Sequence, residues 1–117
     1  MVLNGVKFDD VDFTDASMLE VIDKESKIVY DKSVELEKEK EKLTIAEGIR
    51  RECKIVKDFL DNVLGEGTSQ KIFGNKDSLN LCADVYEEFM KTCQEQYNSY
   101  YQKINKYSPD RFQRWIS

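Results

Sequence analysis

Histidine is absent from this chain of 117 residues. With it goes the side chain that most often acts as a general base near neutral pH and most often ligates transition metals. Proline occurs once, at Pro109, where Ser108-Pro109 stops the last long helix-patterned segment. No apolar run reaches the roughly 18 residues of a membrane-spanning helix, and Met1 to Phe13 lacks the basic and apolar regions of a signal peptide. The expectation is a soluble protein that stays in the compartment where it is made. Cysteine is sparse and odd in number. Cys53, Cys82 and Cys93 show no C-x-x-C spacing, and each falls on an apolar helical position. That pattern predicts reduced core thiols, and three scattered cysteines without histidine are a poor zinc site.

Charge, in contrast, is plentiful. Asp, Glu, Lys and Arg make up 35% of the chain, with 18 cations against 23 anions and a net charge of −5. Nucleic-acid binding needs clustered cations, and an acidic chain of this kind disfavours it. The charge is also polarised. Residues 1–25 hold seven acids, among them Asp9, Asp10 and Asp12, against two lysines, a net of −5. Residues 102–117 hold Lys103, Lys106, Arg111 and Arg114 against Asp110, a net of +3. Opposite ends permit head-to-tail association between copies, or are simply two solvated termini.

Hydrophobic periodicity predicts an all-α domain with three main helices, a short C-terminal helix and a short N-terminal β-hairpin. The hairpin arm covers residues 1–13, where Asn4-Gly5 between apolar pairs has the composition of a two-residue type I′ turn. A lone hairpin is marginal in water, so it must pack on a helix or on a neighbouring subunit. Residues 15–64 carry helices one and two. Thr14 or Asp15 caps the first, which runs to about Lys42 with Ile22, Val29, Leu36 and Leu43 spaced by sevens. Its complementary positions are Ser26, Ser33 and Lys40, so the apolar stripe is narrow. Thr44-Ile45-Ala46-Glu47 matches a capping box for the second helix. That helix places Ile45, Ile49, Cys53, Val56, Leu60 and Val63 on one face.

Residues 65–77 form a glycine-rich connection. Gly65 is expected to end helix two as a left-handed cap, and Thr68 or Ser69 to cap one helical turn closed by Gly74. Helix three spans residues 78–107, begun by Asn75, Asp77 or Ser78. Residues 108–117 form a short helix with Ser108 as cap and Pro109 at its first position, carrying Phe112, Trp115 and Ile116. Cys53, Val56, Leu60, Cys82, Val85, Phe89 and Cys93 are the expected core between helices two and three.

Catalytic patterns are missing. The segment Gly65 to Lys71 lacks the spacing and the preceding strand of a phosphate loop. The acidic pairs Asp58/Asp61 and Asp84/Glu88 have no histidine to complete a bundle metal site and are expected to be solvated. No serine or cysteine has a candidate base, so no enzyme activity and no cofactor or metal is expected. The C-terminal aromatics stand apart. Tyr97, Tyr100, Tyr101, Tyr107, Phe112 and Trp115 are interleaved with cations, a composition suited to a protein interface, to single-stranded nucleic acid, or to a helix end folded back on the core.

The run from Phe59 to Gly74, Phe59-Leu60-Asp61-Asn62-Val63-Leu64-Gly65-Glu66-Gly67-Thr68-Ser69-Gln70-Lys71-Ile72-Phe73-Gly74, followed by Tyr86-Glu87-Glu88-Phe89, resembles the small tail assembly chaperones of siphophages and prophages of Gram-positive bacteria. The opening Leu3-Asn4-Gly5-Val6 and a Glu/Lys-rich first helix also fit, and the likeness covers roughly residues 3–96. The resemblance implies a non-enzymatic helical protein of the host bacterial cytoplasm, not expected in the mature virion. Such a protein self-associates into a homo-oligomer or spiral and coats the tape measure protein, yielding to tail tube protein as the tail grows. No nucleic acid or membrane is expected as a partner. On this expectation Tyr97, Tyr100, Tyr101, Tyr107, Phe112 and Trp115 bind the partner, while Gly65, Gly67, Thr68, Ile72, Phe73, Asp9, Asp10, Asp12, Arg111 and Arg114 make subunit contacts. The acidic N-terminal quarter admits a different reading, a phage-encoded inhibitor of a host defence protein. Another minor virion or connector protein is a third.

Overall fold

A computed structural model of the protein describes residues 1–107, the last four through their backbone alone. The order of elements is β1 (Val2–Leu3), β2 (Val6–Lys7), α1 (Ala16–Glu39), a 3-10 turn (Lys40–Lys42), α2 (Ile45–Leu64), α3 (Thr68–Phe73) and α4 (Leu79–Tyr107). The protein is mainly helical with an N-terminal hairpin, as the periodicity predicts. The expected helix over 108–117 lies outside the described residues.

The hairpin pairs Val2 with Lys7 and Leu3 with Val6. Asn4 and Gly5 between them both take positive φ, 49° and 81°. A two-residue loop with this backbone matches the twist of the strands it joins. The arm packs on its own chain. Leu3 and Phe13 are fully buried, and the Asn4 amide donates to the Ile72 carbonyl at 2.8 Å. Phe13, Phe59 and Phe89 then make the centre of the core, with Phe89 edge-on to each of the other two at 5.3 Å. Each such ring contributes on the order of 2–3 kcal/mol of burial, and edge-to-face contact adds about 1.

Asp15 decides where α1 starts, its carboxylate accepting the Met18 N–H at 3.0 Å. Asp12 serves the residue before it, accepting from both the backbone and the hydroxyl of Thr14. The sevenfold spacing in α1 marks its inward face: Ile22 and Leu36 are buried, and Val29 and Leu43 half-buried. The helix ends at Glu39, short of the expected Lys42. The Glu/Lys run has no apolar anchor there, and the chain tightens into a corner bridged by Lys40–Glu37, Lys40–Glu52 and Arg51–Glu39 ion pairs.

Thr44 and Glu47 form the capping box of α2. Ile45, however, does not join the buried stripe of its helix and is 86% exposed. Of the expected core, Cys53, Leu60, Cys82, Val85 and Phe89 are buried, while Val56 and Cys93 pack at its margin. All three cysteines are free. Burial and a hydrogen bond with Cys53 push the Cys82 thiol up to about 12.

Residues 65–77 differ most from expectation. Gly65 takes φ 116° and ψ 153°, an extended positive-φ conformation open essentially to glycine alone, and so is not a left-handed helical cap. The left-handed residue is Gly67, at φ 88° and ψ −4°. Neither Thr68 nor Ser69 caps α3 with its side chain. Asp61 of α2 does so instead, its carboxylate accepting from the Ser69 N–H at 2.7 Å and from the Ser69 hydroxyl at 2.8 Å. The expectation of a solvated Asp61 is therefore corrected. Lys57 anchors the far end of the connection, donating to Asp77 at 2.7 Å and to the Lys76 carbonyl at 2.9 Å.

This anchored connection walks the chain back along α2. Cys53 meets Cys82, and Phe59 meets Tyr86 and Phe89, so α4 runs in the same sense as α2. Ion pairs from Lys40–Glu52 to Lys32–Asp58 show α1 antiparallel to α2.

Candidate functional site

The route of α4 leaves a groove. In its first third α4 comes close to α1, where the Ser26 hydroxyl lies near the Tyr86 phenol. Towards the start of α4 the two helices separate, and α2 forms the floor between them. Val29 and Ser33 of α1, Ile55 and Val56 of α2, and Leu79, Cys82, Ala83 and Tyr86 of α4 line a depression of about 300 Å³. A second depression of about 310 Å³ continues it past Leu43, Ile45 and Ile49, sharing Glu52 and Leu79. Among the described residues their only charged side chains are Lys40 and Glu52, which pair with each other at 3.5 Å. An elongated, open, apolar trough with a neutralised rim suits the apolar face of a helix better than a small molecule, which needs an enclosed site with converging polar groups.

The second feature is the far end of α4. The helix is 29 residues long, or about 43 Å, and packs on α2 and β1, its buried side chains among the described residues being Cys82, Val85 and Phe89 of the first half. The radius of gyration of 16.8 Å exceeds the roughly 13 Å of a compact domain of this length, because α4 runs off the core. Beyond Cys93 most side chains are exposed. Tyr97 and Tyr100 are 39% and 46% exposed, while Tyr101 is half-buried with its ring tilted at 6.4 Å from that of Tyr97.

The expected site residues therefore separate. Tyr97, Tyr100 and Tyr101 share the projecting end of α4. The Tyr107 side chain, Phe112, Trp115, Arg111 and Arg114 lie outside the described residues. Thr68, Ile72 and Phe73 are buried in their own chain, Ile72 and Phe73 within the hydrophobic core, so the α3 turn directs its apolar face onto its own domain. Gly65 remains exposed and Gly67 half-exposed. Asp9, Asp10 and Asp12 are exposed near the hairpin, but Asp12 is engaged by Thr14, whose hydrogen bonds hold its carboxyl below the usual range. The groove itself has no signature in the sequence, since its walls come from three helices and only their arrangement makes it.

Among the described residues no three or more Cys, Asp or Glu side chains gather closely enough to hold a metal ion. Among them, too, no helix is long and apolar enough to cross a membrane. A family profile described as Family of unknown function (DUF6673) matches residues 4–116. The chain belongs to this family. The DUF6673 match takes in the second hairpin strand, the groove and the whole of α4, so the candidate site lies within the family domain. No curated protein and no solved structure matches the chain.

Proposed function

We propose that the protein is a phage tail assembly chaperone that self-associates and coats tape measure protein, keeping it soluble while the tail tube is assembled. The observation that carries this reading is the pairing of an open apolar groove with a helix end that projects exposed tyrosines away from the core. A tape measure protein is a long helical chain whose apolar stripes aggregate when bare. Tyr97 and Tyr100 supply large, stiff contact area to such a stripe at little entropic cost. The net charge of −5 keeps a coated assembly dispersed.

Co-expression tests the reading. The protein should carry fragments of tape measure protein into the soluble fraction and be absent from purified particles. Fragments that stay insoluble in its presence, or stoichiometric copies in virions, would sink it.

A further inference from the structure

We propose that the groove between α1 and α4 is the seat for residues 108–117 of a second copy of this chain, with Phe112, Trp115 and Ile116 as its anchors. The first argument is reach. The groove lies at Leu79–Tyr86, and the helix from Tyr86 to Tyr107 carries the chain about 31 Å away from it. Phe112 is five residues past Tyr107, at most about 17 Å of fully extended chain. It therefore cannot return to the groove of its own molecule while α4 is intact, nor can a helical turn that holds Trp115 and Ile116 beside it, but that turn can enter the groove of a neighbour.

The second argument is charge. Residues 102–117 carry +3, of which the docking segment 108–117 holds +1 and the end of α4 the other +2, in a chain whose total is −5, which leaves −8 on the rest. The tail is thus drawn to the body of any other copy, and the neutral apolar trough offers its aromatics the nearest dry surface. The third argument is pattern. Phe112, Trp115 and Ile116 stand at i, i+3 and i+4, the spacing with which a helix places anchors in a groove. Two aromatics at roughly 150–250 Å² each and an isoleucine, together with the walls they cover, bury about 1,000 Å², the lower end for a specific interface. One such contact is weak. Because donor and acceptor lie on different parts of the molecule, the contact can repeat from copy to copy, as a ring or an open spiral according to the rotation between copies. The intervening stretch of α4, with Tyr97 and Tyr100, then bridges neighbouring bodies.

The inference rests on the self-association in the proposed function, but its test contains no tape measure protein, so either can fail while the other stands. Ala83 is exposed and lines the groove, which makes Ala83→Arg a blocked acceptor that leaves the core alone. Trp115→Ala is a disabled donor. Melting curves matching wild type establish that both variants are folded. In analytical ultracentrifugation the full-length wild type should gain mass with concentration and lose it with added salt. Each variant alone should show its single-chain mass at the concentrations where wild type associates. An equimolar mixture should form a species of two chains and nothing larger, because one variant keeps a working tail and the other a working groove. Wild type of single-chain mass at every concentration would overturn the proposal. So would self-association that survives Ala83→Arg, or a mixture of the two variants that fails to pair.

Discussion

Asp61 joins two helices with a single side chain. Its backbone carbonyl accepts the Gly65 N–H that ends α2, and its carboxylate caps α3 through Ser69. Asp61→Ala should therefore cost about 1–2 kcal/mol in urea denaturation, whereas Lys54→Ala, which removes an exposed ion pair with Asp58, should cost under about 0.5. Two glycines make a second contrast. Gly65 holds a backbone conformation that a Cβ strains, so Gly65→Ala should destabilise by about 1–3 kcal/mol. Gly48 sits inside α2 with open space around it, so Gly48→Ala should stabilise by about 0.5–1. Glu25 is 7% exposed with its Oε2 unpartnered among the described residues, and Glu25→Met should stabilise by about 1 kcal/mol. Burial raises Cys82, Tyr86 and Cys93 above their ordinary values, which favours their neutral forms in the folded state. Stability from Cys82 is thus fully present below its ordinary 9.0 and is lost as pH climbs towards about 12. Melting temperature should fall over that alkaline window, and less steeply in Cys82→Ala measured against its own neutral-pH value.

At the level of elements, the two halves of α4 differ: the first packs on the core and walls the groove, and the second projects beyond it. Its first half carries Cys82, Val85 and Phe89, and Phe89→Ala should cost about 3–5 kcal/mol, enough to unfold a marginal domain. Its second half leaves the core, so Tyr97→Ala with Tyr100→Ala should alter stability by no more than about 1 kcal/mol in total. The same pair should cut the yield of soluble tape measure fragments on co-expression. Retention of full solubilising activity would remove the projecting tyrosines from the proposal. Both α2 and the hairpin were legible from local pattern: a Thr44–Glu47 box and an Asn4-Gly5 turn satisfy backbone needs within a few residues. The exposed Ile45 and the buried Thr68, Ile72 and Phe73 were not legible. A residue on an apolar stripe is buried only if another element arrives to cover it, and stripe membership carries no information about arrivals.

For the molecule as a whole, the decisive fact is that α4 runs along α2 in the same sense. Three helices joined by tight turns would alternate in direction and close over one another. Here the connection over residues 65–77, anchored by Asp61, Asn4 and Lys57, returns the chain before α4 begins, and the space between α1 and α4 stays open. Local patterning sufficed for the helical class, the caps, the hairpin turn and most of the core. It also sufficed for the absence of histidine chemistry and the opposition of an acidic body to a basic tail. Periodicity and composition act over neighbours in sequence, within a turn or two of helix. The groove, the reach of α4 beyond the core and the capping of α3 by Asp61 were decided by packing alone. Each depends on contacts between residues far apart in the chain, whose geometry follows from how whole apolar faces meet.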